Sequence, residues 1–246
     1  MYNIALKITF LLIVLSGSSQ ARAESLNVAV ASNFLKTMRD LSVVYEELSG
    51  HHLNISAGSS GKHFAQIKQG APYDVFLSAD SIRPKRLEEE GLAVEGSRLT
   101  YAIGRLALWG KSTSSVQLEA SALEKPSISR FSIANPRLAP YGVAAKEVLL
   151  SLERFDVLEP ILAKGENINQ AYQFLATGNA DLGFVSLAQM KQAGHIDYWL
   201  VPSELHSPIE QQLVLINNSE AAQQLSQFMQ SDKAKEIIQQ HGYDLP

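Results

Sequence analysis

The sequence predicts an α/β fold with mainly parallel sheets, and three observations carry that reading. Short apolar runs alternate with segments of helical periodicity, and glycines fall where those segments end. The 246 residues also suit one large domain or two lobes of roughly 100–120 residues, each with its own core. Leu26 to Ala31 is an apolar run suited to a buried strand, after which Phe34, Met38, Leu41, Tyr45 and Leu48 recur at helical spacing up to Gly50. The unit repeats. Leu53 to Ala57 feeds a helix from Lys62 to Gln69 before Gly70, and Asp74 to Leu77 feeds one from Ser81 to Glu90 before Gly91. Further strands are expected over Leu106 to Trp109, Phe131 to Ala134, Asp181 to Val185, Tyr198 to Val201 and Leu213 to Ile216. A helix is expected over Val143 to Leu152, and two more, Glu220 to Gln230 and Lys233 to His241, close the chain.

The composition, 46% apolar and 19% charged with a net charge of −4, is that of a folded soluble protein. It leaves no basic surface for a nucleic-acid backbone. The absence of cysteine excludes a zinc ribbon, an iron–sulfur cluster, a thiolate nucleophile and a disulfide framework. Residues 1–23 read as a signal peptide: Lys7, the apolar run Ile8 to Leu15, then Ala21-Arg22-Ala23, with cleavage expected after Ala23. That run is far short of the roughly 20 residues that cross a bilayer as a helix. The mature product is expected to be free outside the cytoplasm.

In an open α/β sheet, ligands gather where strands hand over to helices, because the first amides of each helix lack intrahelical acceptors and carry the positive end of its dipole. Ala31-Ser32-Asn33 forms the first such junction, which is equally a plain N-cap. Gly58-Ser59-Ser60-Gly61 sets two hydroxyls between two glycines, an anion loop or a flexible turn; its spacing matches neither a P-loop nor a nucleophile elbow. Asn135-Pro136-Arg137-Leu138-Ala139-Pro140-Tyr141-Gly142 is stiffened by two prolines, and Gly165-Glu166-Asn167-Ile168-Asn169 and Val185-Ser186 complete the set. None is diagnostic alone. Together they offer hydroxyls and amides with few fixed charges, a donor-only chemistry that suits a small, fully ionised oxyanion and gives a protonated phosphate no acceptor.

Over Val28-Ala29-Val30-Ala31-Ser32-Asn33, Ala57-Gly58-Ser59-Ser60-Gly61 and Gly70-Ala71-Pro72-Tyr73-Asp74-Val75-Phe76-Leu77-Ser78-Ala79-Asp80 the chain resembles the periplasmic molybdate-binding proteins of ATP-driven (ABC) importers. Asn135-Pro136, Pro140-Tyr141-Gly142 to Ala145-Lys146-Glu147 and Ala180-Asp181-Leu182-Gly183-Phe184-Val185 extend the resemblance across the mature chain. It implies a type II-like periplasmic binding protein, a monomer with no cofactor and no enzymatic activity. Lobe 1 would comprise residues 24–102 and 212–246, and lobe 2 residues 103–211, joined by crossing strands near Tyr101 to Ala107 and Glu210 to Val214. One molybdate or tungstate would sit in the cleft, held through its oxygens with no direct metal ligand, for delivery to a membrane permease after hinge closure. The resemblance assigns the hydroxyls of Ser32 and Ser60 and the backbone N–H groups of Tyr141 and Ile168 as donors, with Asn33 as a further donor. Ser186 stands where some members place a tyrosine hydroxyl, and its shorter side chain reaches less far. Gly61 stands where some relatives carry a third serine, a replacement expected to cost nothing.

Other residues have plainer readings. The six histidines lack metal-ligand spacing and are expected at the surface. The chain has no Tyr-Tyr pair for ferric iron. Asp74 and Asp80 read as structural caps, and Glu88-Glu89-Glu90 as a solvated helix face. Competing functions are the same fold holding sulfate or thiosulfate, a secreted hydrolase using Ser60, for which no His or Asp motif completes a site, and a sensor that signals to a membrane receptor.

Overall fold

The computed structural model describes residues 23–110, 118–125 and 127–246; the expected signal-peptide core lies outside them. Two five-stranded sheets form two lobes. The first sheet takes its strands from both ends of the chain: β1 (Ser25–Ala31), β2 (His52–Gly58), β3 (Val75–Leu77), β4 (Leu99–Gly104) and β10 (Ile209–Leu215), in the order β2-β1-β3-β10-β4. The second uses β5 (Leu106–Trp109), β6 (Phe131–Ala134), β7 (Leu162–Gly165), β8 (Leu182–Ser186) and β9 (Trp199–Leu200), in the order β7-β6-β8-β5-β9.

Helices pack on these sheets by their apolar stripes. In α1 (Leu35–Ser49) the buried residues Met38, Leu41 and Tyr45 face the first sheet together with Val28, Val30 and Leu77. Gly50 ends α1 in the left-handed region at φ 73°, and Gly70 and Gly91 stop α2 (Ser60–Lys68) and α3 (Ile82–Glu89) in the same conformation. The second lobe is closed by α4 (Pro140–Ser151), α5 (Phe155–Leu158), α6 (Ile168–Ala176) and α7 (Leu187–Ala193) around Phe131, Ile133, Leu149 and Phe184. The last helices, α8 (Glu220–Phe228) and α9 (Asp232–Gln240), return to the first core through Ala222, Leu225 and Ile238.

The sheets differ from the mainly parallel expectation. Each begins with two parallel pairings, β2-β1-β3 and β7-β6-β8, and continues with two antiparallel ones. Local patterning reports where strands lie but not their direction, and β10 runs antiparallel between β3 and β4 because the chain re-enters the first sheet from the second lobe. Two strands, β4 and β7, were not among the apolar runs read as strands. β7 is half-exposed with Lys164 in it, so its pattern is weak, and β4 lies in the crossing segment.

Candidate functional site

Parallel register brings the junctions together. Ala31 at the end of β1 pairs with Gly58 at the end of β2, and Val30 pairs with Leu77 of β3, so Ser32, Ser59-Ser60 and Ala79 emerge side by side. In the other lobe Ala134 pairs with Gly165, which sets the loop before α4 beside the start of α6. The two groups face each other across a small cavity of about 10 Å³. Five of the six residues named from the sequence line it: Ser32, Asn33, Ser60, Tyr141 and Ile168. Ser59, Ala79 and Asn167 join them, and the lining holds no Asp, Glu, Lys, Arg or His.

Local chemistry sets each group. Ser59 is the N-cap of α2, its hydroxyl accepting from the Lys62 amide at 3.3 Å, so the next residue, Ser60, opens the helix. Ser60 Oγ accepts from the Ala79 amide at 3.0 Å, which fixes the oxygen and leaves its own proton to donate. That partner is an amide, not a base, as a nucleophile would require. Pro140 occupies the first position of α4, where a missing N–H costs nothing, and Tyr141 follows it. Asn167 caps α6 through the Gln170 amide at 3.0 Å, placing Ile168 at the first helical position.

Two expected donors have other duties. Asn33 lies in the 3-10 turn Ser32–Phe34 and lines the cavity, but its side-chain amide donates to Gln211 Oε1 at 2.7 Å and to the Tyr243 hydroxyl at 3.3 Å. Tyr243 in turn donates to the Asn33 carbonyl at 2.8 Å, so the side chain is spent on position rather than offered to a ligand. Ser186 is outside the lining altogether. It is buried at the N-cap of α7, in a reciprocal capping box with Gln189, whose amide nitrogen reaches Asn169 Oδ1 at 2.8 Å. Ser186 therefore braces the α6 start from behind.

The Gly61 amide donates across the cleft to the Leu138 carbonyl at 2.8 Å. The histidines are not all at the surface. His51, His63 and His206 are buried, with His51 bonded to the Glu24 amide and Gln224, and His206 to the Ser207 carbonyl. His63 sits under Gly58, its ring bonded to Gln66 at 3.2 Å, and burial lowers its pKa. Asp80 caps α3 through the Arg83 amide, while Asp74 ties Asn27 to Asn217, both structural as expected. Glu88 is only partly solvated, being bonded to Arg98 and to the Gly96 amide.

The signal that sequence reasoning missed is a buried polar hub behind the cavity. Gln211 on β10 receives Asn33 and, at 3.3 Å, the Tyr101 hydroxyl. The buried Tyr141 hydroxyl and Gln211 Nε2 both lie against Gly104 of β4, within 2.3 and 3.1 Å of where a Cβ would stand. Burial raises the pKa of Tyr101, Tyr141 and Tyr243, so all three stay neutral donors.

Comparison with known proteins agrees with this architecture. The molybdate-binding protein ModA of Azotobacter vinelandii is 42% identical over 231 residues, spanning 92% of each chain. ModA of Rhodobacter capsulatus is 41% identical over 240 residues, 96% of this chain and 94% of its own. The solved Azotobacter vinelandii periplasmic molybdate-binding protein superposes with a TM-score of 0.85 at 40% identity, covering 90% of this chain and 99% of that one. Residues 26–244 match the bacterial extracellular solute-binding proteins, and the chain belongs to that family, within its molybdate-binding ModA group.

Proposed function

We propose that this protein binds molybdate, and with it tungstate, outside the cytoplasm and hands it to the membrane permease of an ABC importer. One observation carries the reading: a small cavity between two lobes, lined by neutral donors from the starts of α2, α4 and α6 and free of fixed charge. A tetrahedral dianion there replaces its water shell with preorganised hydroxyls and amides, each a charge-assisted hydrogen bond. The absence of a carboxylate from the lining disfavours an anion that retains a proton, as phosphate does. The names of the relatives support molybdate as the oxyanion.

The donors are Ser32 and Ser60 through their hydroxyls and Tyr141 and Ile168 through their amides; Asn33 contributes by its place in the turn. Hinge closure brings them together. Lobe 1 is residues 24–102 with 212–246 and lobe 2 is 103–211; β4 and β10, which contain both boundaries, pair from Gly104–Ile209 to Leu99–Leu213 and form the hinge. The protein works as a monomer, freed by cleavage after Ala23. No helix among the described residues is long and apolar enough to cross a membrane.

Isothermal titration of mature, anion-stripped protein with molybdate, tungstate, sulfate and phosphate tests this. The expected result is tight one-to-one binding of the two metal oxyanions, with sulfate and phosphate silent. Preference for sulfate would keep the cage and change its cargo; no binding to any would end the oxyanion reading.

A further inference from the structure

Tyr141 faces two ways. Its amide is a donor of the proposed cage, while its buried ring runs from the start of α4 to the crossing strands β4 and β10. At the far end the hydroxyl fills the space beside Gly104 that a side chain would take: a Cβ there would collide with Oη and lie 2.9 Å from Cζ. Gln211 Nε2 approaches the same spot, 3.1 Å from that Cβ position. Gln211 bears on the hydroxyl, yet the two do not meet in hydrogen-bond geometry: Tyr141 Oη and Gln211 Nε2 are both buried without a partner among the described residues. Burial keeps the phenol neutral, so it holds a proton that nothing accepts.

Gln211 is not free to turn and meet it. Its Oε1 already accepts from Asn33 Nδ2 at 2.7 Å and from the Tyr101 hydroxyl at 3.3 Å, and a flipped carboxamide would set its NH2 against that of Asn33. Asn33 and Tyr101 belong to lobe 1 and α4 to lobe 2, so the unmet pair joins a group held by one lobe to a group carried by the other. The β4–β10 register shifts between Gln211 and Gln212, which places the mismatch where the crossing strands are irregular. Tyr141 also lines the cleft cavity. Opening the cleft lets water reach the hydroxyl; closing it strips that water and returns no hydrogen bond, the costly case for a buried polar group. We infer that the Tyr141 hydroxyl limits how tightly the lobes close, and so sets the rate at which bound oxyanion is released for delivery. The inference rests on the oxyanion-binding reading with hinge closure. The amide of Tyr141 captures and its hydroxyl lets go, so a residue without the hydroxyl captures equally well and holds longer.

The test compares mature wild type with Tyr141→Phe, which keeps the ring and the amide and removes one oxygen. Anion-free samples of both are titrated with sodium molybdate, stopped-flow fluorescence gives the association and dissociation rates, and thermal unfolding without anion checks the fold. The variant is expected to fold, and to bind molybdate about fivefold or more tightly than wild type, through slower dissociation with association little changed. A smaller gain, or weaker binding, overturns the inference, while binding by wild type upholds the oxyanion reading. Tighter binding through faster association alone overturns it as well. A variant that fails to fold shows that the folded protein needs the hydroxyl, and overturns it too. A wild type that does not bind molybdate overturns the oxyanion reading and this inference with it.

Discussion

Ser60 illustrates how one hydroxyl is prepared for a ligand before any ligand arrives. Its oxygen is held by the Ala79 amide, so its proton is already aimed away from that bond, and little ordering remains when an anion enters. Ser32→Ala and Ser60→Ala are each expected to weaken molybdate binding by roughly 1.5–3 kcal/mol, the range for hydrogen bonds to charged groups. Titration checks this, and unchanged affinity in both variants would sink the proposed cage. Gln211 acts one step behind. Its Oε1 receives both Asn33 and Tyr101, and Gln211→Leu would remove that shared acceptor, leaving Asn33 the longer bond to the Tyr243 hydroxyl and Tyr101 the Ser78 carbonyl. The expected cost is about 1–3 kcal/mol of stability, read by urea unfolding, with a loss of molybdate affinity because the turn carrying Ser32 loses its brace. Stability and affinity both at wild-type values would show that the hub positions nothing.

Helix starts are the elements that make the cavity: α2 and α6 open on the side-chain caps Ser59 and Asn167, and α4 opens on Pro140. Asn167 holds the first turn of α6, and the Ser186–Gln189 box at the start of α7 supports it through Asn169. Ser186→Ala is expected to cost about 1 kcal/mol of stability, the usual value of an N-cap. Its effect on molybdate affinity should stay within about threefold, well under the loss expected of a direct contact. A larger affinity loss would return Ser186 to the site. These caps were readable as residue types in the sequence, since Ser, Asn and Gly dominate helix starts and ends. Which caps face the ligand and which face away was not readable, because that depends on the strand register behind them.

At the scale of the whole molecule, the lobes meet through Gly61–Leu138 and Lys62–Glu166 beside the cavity, and through Lys36 of α1 to the Gln192 carbonyl of α7. Small-angle scattering is expected to show a smaller radius of gyration when molybdate is added to the anion-free protein; no contraction would exclude hinge closure as the response. The fold also carries a pH dependence. His63 is buried neutral beneath the ligand loop, with Lys62 adding to the burial that lowers its pKa. The unfolded chain binds that proton below about pH 6.5 while the folded one does not, so stability is present above that pH and falls as pH drops through the window below it. His241, lowered by its own burial, contributes with the same sign. His63→Gln is expected to flatten part of this loss in urea unfolding measured across the acid range. An identical slope in the variant would assign the dependence elsewhere.

The sequence by itself determined the alternation of strand and helix, the glycine stops and the junctions worth inspecting, because periodicity, caps and left-handed glycines are local properties of a few residues. β5 and β6 fall where their apolar runs place them, Leu106–Trp109 and Phe131–Ala134. Tertiary structure alone decided that each sheet is half antiparallel, that His63 and His51 are buried, and that the Asn33 amide turns to Gln211, 178 residues away. It also decided that the Gly61 amide meets the Leu138 carbonyl of the other lobe. Such outcomes depend on which distant segments become neighbours, and no local pattern encodes a partner that arrives from the far end of the chain.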